Sequence, residues 1–202
     1  IFELLVLDDW RDWIMAVKRE MNGWVVNQVF ENVQVKDIPS ESRIIKLGEL
    51  YCRKRTGKPK HRVVVFGNLL RKWVDYFFTT SYALSHDGFR FFYALSAVFK
   101  RQIKGADAKC GYLQSTPLEE KPIYVYRPTH ADYYDLNMDE LGELRSKLLE
   151  VRKKQGVAGI KRLAGEHMRQ VRRKYAWKLV KAVYGVPGAG LSFQNKLENA
   201  LE

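Results

Sequence analysis

The sequence predicts an α+β fold, and three observations carry that expectation. Apolar residues recur at helical spacing near both ends of the chain, and β-rich runs bracketed by Gly and Pro lie between them. With 46% hydrophobic and 13% aromatic residues among 202, the chain can bury a core, which excludes wholesale disorder and collagen-like or low-complexity structure. That length makes one large domain or two small ones. The balance of 35 Lys+Arg against 23 Asp+Glu, a net charge of +12, points to a polyanionic partner.

Each element has a local cause. A first helix is expected from Asp8 or Asp9, acids suited to an N-terminal turn, through Trp10, Trp13, Val17 and Met21, with Asn22-Gly23 as its stop. After Pro39-Ser40, Arg43 to Arg53 and His61 to Phe66 are β-rich, and the Thr56-Gly57 and Pro59 link makes them a basic hairpin. An aromatic helix is expected from Asp87 to Lys100, then short strands over Gln102 to Asp107 and Ile123 to Tyr126, the latter closed by Pro128. From Asn137, Leu141, Leu144, Leu148 and Val151, then Ile160, Leu163, His167 and Val171, predict a helical hairpin punctuated by Gly156 and Gly159. The turn from Tyr184 to Gly190 leads into a last helix, and no internal repeat is visible.

Several classes of function have nothing to stand on. No apolar run approaches the roughly 18 residues of a membrane span, and Ile1 to Leu7 lacks a basic flank, so a soluble intracellular protein without membrane contact is expected. Cys52 and Cys110 form no disulfide framework, which suits a reducing compartment. His61, His86, His130 and His167 are isolated in sequence and predict no zinc site. Dinucleotide, P-loop and hydrolase-elbow motifs are absent. A chain opening on Ile1 and ending at Glu202 is expected to be a segment of a longer polypeptide.

The positive charge is clustered. Positions 53–72 hold Arg53, Lys54, Arg55, Lys58, Lys60, Arg62, Arg71 and Lys72 and no acid. Positions 152–178 hold ten Lys/Arg, among them Arg172, Arg173 and Lys174, against the single acid Glu166. Such clusters neutralise phosphates and release counterions; a solvated basic face or an acidic partner is the alternative. Trp73, Tyr76, Tyr175 and Trp177 either stack on bases or belong to the core. The chemistry-bearing segment is Lys104 to Leu113, where Asp107 precedes Tyr112. An aspartate at a strand end suits a Mg²⁺ ligand, with the ring beside it; capping the next helix is the other reading.

In order along the chain, Trp13-x-x-Ala16-x-x-x-Glu20, Lys54-x-x-Gly57 with Lys60-His61-Arg62-Val63-Val64 and Gly67, Asp75-Tyr76, Arg90 to Ala97, Asp107 to Leu113, Leu118-Glu119-Glu120, Ile123-Tyr124 with Pro128, and Lys181 to Val186 match a series of short motifs. Taken together they resemble the reverse transcriptases of copia-type retrotransposons. The resemblance implies a right-hand polymerase fingers/palm fragment: a fingers-like region over 1–100, a first palm segment over 101–128, a basic helical insertion over 129–178 and a return to fingers/palm over 179–202. It implies an RNA-directed DNA polymerase with Asp107 as catalytic and metal-binding aspartate, Ala108 beside it, Tyr112 as the gate against ribonucleotides, and Lys60 and Arg62 gripping the triphosphate or the template backbone. Mg²⁺, a primer–template of RNA and DNA, and a deoxynucleoside triphosphate are the implied cofactor and partners. Two departures stand out. Pro187, Gly188 and Gly190 replace the family's Lys, Gln and Pro, and the Y-V-D-D turn with the remaining palm, thumb and RNase H portion is expected beyond residue 202. This segment alone is therefore expected not to polymerise. The implied location is a cytoplasmic virus-like particle or the nucleus, with an organelle left open. The alternative is a domesticated, non-catalytic RNA-binding or structural component of a larger ribonucleoprotein assembly.

Overall fold

The computed structural model describes residues 1–76, 79, 84–105, 107–118 and 121–201. In chain order its elements are α1 (Phe2–Leu5), α2 (Trp10–Val26), β1 (Phe30–Gln34), β2 (Ile44–Ile45), β3 (Leu47–Arg53), β4 (Pro59–Val65), α3 (His86–Val98), β5 (Ile123–Tyr126), α4 (Met138–Lys174), β6 (Tyr175–Leu179) and α5 (Ala189–Leu201). One mixed sheet has the order β1-β6-β5-β2, antiparallel except where β2 runs parallel to β5. A separate antiparallel hairpin pairs β3 with β4 in the register Glu49↔Val63. The architecture is mixed α/β. Glu119 and Glu120, which belong to the motif series, lie outside the described residues.

Helix α2 is the spine. Its buried Trp13, Val17, Met21 and Trp24 face the main core with Val63 and Val65 of β4, Val125 of β5 and Trp177 of β6. Its Trp10 and Ile14 face a second core with Phe2, Leu5, Leu141, Leu148 and Ile160. The expected stop at Asn22-Gly23 is passed, and α2 runs on to Val26. Gly23 is a packing position: a Cβ there would stand 3.4 Å from Cys110 Sγ and Leu113 Cδ1. The turn comes at Gln28, whose φ of 52° sends the chain into β1.

Strands β1 and β6 are absent from the sequence reading, which extends the basic helical tail through Lys178. Helix α4 ends at Lys174, and β6 becomes a central strand because Trp177 is driven inside. Its ring stacks on Phe30 at 3.8 Å and meets Trp24 at 5.8 Å, while its Nε1 donates to Asn32 Oδ1 at 2.8 Å. Burying Trp24 and Trp177 contributes roughly 3–5 kcal/mol each. Conversely, the strand expected over 102–107 does not form among the described residues. Both edges of β5 are taken by β2 and β6, and residues 101–105 lie exposed, Ile103 included. Asp107 therefore sits on a loop.

Helix α3 spans the expected aromatic segment, with Ser85 Oγ accepting from the Gly88 N–H, but none of its residues is buried. Helix α4 is broken at Gly156 (φ 65°, ψ −163°), a conformation reserved for glycine. In an unbroken helix Leu144 and Gln170 would be about 39 Å apart, yet both line one cleft with Phe2 and Leu163, so the two arms fold back on each other. Asn137 starts the first arm with a capping box to Glu140.

The segment after β6 is locked to the hairpin. The Val65 N–H donates to the Tyr184 carbonyl at 2.8 Å, and the chain turns at Gly185 with φ 91°. A Cβ on Gly185 would run into the Val65 carbonyl oxygen, and one on Gly67 into the Gly185 carbonyl. Gly185→Ala is expected to destabilise the protein by about 2 kcal/mol or more, the left-handed backbone alone costing 1–2; chemical denaturation at constant m-value checks this.

Candidate functional site

Strand β4 alternates, and that alternation builds the site. His61, Val63 and Val65 point into the core, while Lys60 and Arg62 face outward. They open onto a cleft of about 1150 Å³ lined by Lys54, Lys60 and Arg62 of the hairpin, Arg19 and Glu20 of α2, Asp107 to Tyr112 of the following loop, Tyr184, and Phe193 of α5. The Arg62 guanidinium lies 5.3 Å over the Tyr184 ring. Tyr112 meets Tyr184 edge-on at 5.4 Å and Phe193 at 6.2 Å, which holds it at 38% exposure on the cleft wall. Gly111 makes room for Phe193, since a Cβ there would approach the ring to 2.9 Å.

Of the residues singled out in sequence, the fold brings together Lys54, Lys60, Arg62, Asp107, Ala108 and Tyr112 in this one cleft. The motif residues Ala16, Glu20, His61 and Tyr184 also line it, whereas the remaining basic residues singled out do not. Arg53 pairs with Asp9, covers Trp13 at 5.3 Å and donates to the Gly57 carbonyl at 3.0 Å. Arg55 and Lys58 are exposed at the hairpin turn. Arg71 binds Asp75 through its backbone N–H at 2.8 Å and Nε at 3.2 Å. Slight burial works against ionising Asp75, but those bonds outweigh it and hold the carboxyl below its usual range. Lys72 lies over Trp73, Arg172 packs 5.2 Å over Tyr126, and Arg173 and Lys174 are exposed at the end of α4. Of the four aromatics, Trp177 is core and Trp73 and Tyr175 are exposed.

Sequence reasoning overlooked Arg19, Lys109 and Phe193 as lining residues; only their positions beside motif residues could have flagged them. It also read Glu20 as a motif letter without a task. Glu20 accepts from the Val63 N–H at 3.2 Å and from Trp24 Nε1 at 3.3 Å. Burial raises its pKa above the ordinary carboxylate value in spite of both bonds. Mg²⁺ takes near-octahedral oxygen ligands. Among the described residues lining the cleft the carboxylates are Asp107 and this engaged Glu20, a set that does not by itself make a two-ion site.

The histidines are not isolated in space. His61 and His130 meet at 5.0 Å against Glu49, whose Oε1 is 3.0 Å from His130 Nδ1. Burial, reinforced by His130, lowers the His61 pKa to about 3. Burial alone would raise Glu49, but His130 and the Tyr51 hydroxyl hold it at about 2.

Comparison with protein-family models, curated proteins and solved structures finds no match to this chain.

Glu20 yields a prediction with a definite sign. Its folded pKa lies above the unfolded value near 4.3, so the folded state holds the proton longer and stability falls as pH rises through that window. Glu20→Gln, which keeps the acceptor oxygen, is expected to raise Tm at pH 7 with the gain vanishing near pH 4. Glu20→Ala leaves the Val63 N–H without its acceptor and should cost about 1–3 kcal/mol at both pH values. Thermal unfolding of the three proteins across pH checks both.

Proposed function

We propose that the chain is the fingers and first palm portion of a copia-type RNA-directed DNA polymerase, gripping a primer–template and a deoxynucleoside triphosphate in the cleft beneath β4. One observation carries the reading. Lys60 and Arg62 on a hairpin, Asp107 and Ala108 on a loop, and Tyr112 on the wall were singled out as parts of one nucleotide site, and they line a single cleft. Lys54, Lys60, Arg62, Arg19 and Lys109 make that cleft strongly basic, as phosphate binding requires. Tyr112 presents a ring to the space beside Asp107, where a sugar 2′-hydroxyl would meet it. The division of labour is electrostatic: the hairpin cations neutralise phosphate charge and the aromatic wall limits the sugar. In the reaction class so proposed, a primer 3′-hydroxyl attacks the α-phosphorus and pyrophosphate leaves; this chain's residues bind and orient the substrates.

A second reading rests on its own observation. Asp107 is the one exposed carboxylate among the described residues lining the cleft, set among basic side chains. That composition suits a non-catalytic RNA-binding component equally well.

A salt series separates them. Primer–template affinity should fall with a log–log slope of roughly −3, from phosphates neutralised by Lys54, Lys60 and Arg62. Lys60→Ala and Arg62→Ala should each weaken binding and reduce the slope by about 1. Tighter binding of a primer–template junction than of single-stranded RNA supports the polymerase reading; the reverse order favours the RNA-binding component. Absence of binding at low salt discards both.

A further inference from the structure

On the inner side of β4, opposite Lys60 and Arg62, the two strands of the hairpin and one remote turn converge on one point. Glu49 comes from β3, His61 from β4 and His130 from the 3₁₀ turn Thr129–Asp132. One ligand-type atom from each lies within 4.8 Å of the others. His130 Nδ1 is 3.0 Å from Glu49 Oε1, and His61 Nε2 is 4.0 Å from Glu49 Oε2. The histidines are 0% and 3% exposed.

Hydrogen bonding alone does not account for this cluster. Among the described residues neither ring nitrogen of buried His61 has a hydrogen-bond partner, and the 4.0 Å gap to Glu49 is too long for one. His130 Nδ1 likewise makes no hydrogen bond among the described residues, although it faces Glu49. That Nδ1 faces a carboxylate oxygen and Nε2 of the same ring faces Met21 Sδ at 3.0 Å, both acceptors, whereas a neutral imidazole carries one N–H. A cation among the three side chains gives His61 Nε2 and His130 Nδ1 a partner, while His61 Nδ1 stays without a hydrogen bond among the described residues. The cation takes the lone pairs of His61 Nε2 and His130 Nδ1 together with the carboxylate, and leaves the His130 Nε2–H for the sulfur.

We propose that Glu49, His61 and His130 bind one divalent transition-metal ion, Zn²⁺ being the best match. Tetrahedral zinc with bonds of about 2.0–2.2 Å places neighbouring ligand atoms roughly 3.4 Å apart; His130 Nδ1 lies 3.0 Å from one Glu49 oxygen, His61 Nε2 lies 4.0 Å from the other, and one ligand atom from each residue lies within 4.8 Å of the others. Two imidazoles with one carboxylate select against Mg²⁺ and Ca²⁺, which take oxygen ligands. The outer support is in place: the Tyr51 hydroxyl donates to Glu49 Oε2, and the Tyr51 ring stacks on His61 at 4.6 Å. The ion ties β3, β4 and the 129–132 turn together behind the outward-facing cations. His61 also borders the cleft, but none of the three ligands is Asp107 or another residue assigned to nucleotide binding.

The test uses the full 202-residue chain, stripped with a chelator and titrated with Zn²⁺ by calorimetry, with Co²⁺ as a spectroscopic substitute. The expected result is one equivalent bound at micromolar Kd or tighter, a raised Tm, and the visible absorption of four-coordinate Co²⁺. His61→Phe, which keeps a ring to stack on Tyr51, and Glu49→Gln should each weaken binding by about 100-fold or more. His86→Gln, on exposed α3, should leave it unchanged. Binding no tighter than millimolar, or undiminished in folded His61→Phe, overturns the proposal and leaves His130 in contact with Glu49 alone. Should the variants fail to fold by circular dichroism, X-ray absorption of the zinc-loaded wild type decides. Two-imidazole coordination supports the site, and sulfur or all-oxygen coordination overturns it.

Discussion

Among the described residues the edge of β4 turned away from β3 has no strand beside it, and the way its peptide groups are satisfied organises that whole side of the molecule. Val63 donates to the Glu20 carboxyl, which fixes α2 against the hairpin. Val65 donates to the Tyr184 carbonyl, which fixes the turn after β6. From these two bonds the rest follows. Arg19 arrives beside Glu20, Tyr184 slides under Arg62, and α5 swings Phe193 over Gly111 so that Tyr112 is wedged upright. The cleft is a by-product of capping a strand edge with a helix side chain and a turn.

The net charge of +12 overstates the surface on offer to a polyanion. Arg53, Arg71 and Arg172 are engaged within the fold, with Asp9, Asp75 and the Tyr126 ring respectively. Arg55 and Lys58 stay exposed at the hairpin turn, and only Lys54, Lys60 and Arg62 of the hairpin's basic residues line the groove. Contact geometry, more than the count of basic residues, sets how many phosphates can be met at once.

Elements with a local cause were legible in the sequence: the periodic faces of α2 and α4, the Thr56-Gly57 turn of the hairpin and the short strand Ile123–Tyr126. Those whose cause is remote were not. Tyr175 to Leu179 follows a basic helix without a breaker and buries Ala176 and Trp177 in succession, so neither alternation nor punctuation marks it as a strand. The stretch 102–107 has strand-like residues, but both edges of β5 are already taken by β2 and β6, a fact of topology alone. The cleft was readable as a set of motif letters, because Lys60, Arg62, Asp107 and Tyr112 lie in short patterned runs. The histidine–glutamate cluster was invisible, since Glu49, His61 and His130 follow no ligand spacing and meet only when β3, β4 and the 129–132 turn pack.

Helix α2 belongs to two cores at once, with Trp13, Val17, Met21 and Trp24 in one and Trp10 and Ile14 in the other. A shared wall of this kind couples them: neither core can dissolve while the other keeps its aromatic face dry, so the sheet and the helical hairpin melt as one cooperative unit rather than as separable foldons. The amides of α2 then exchange with solvent through global opening, and a lesion at Trp10, remote from the cleft, loosens the floor on which Glu20 and Arg19 stand.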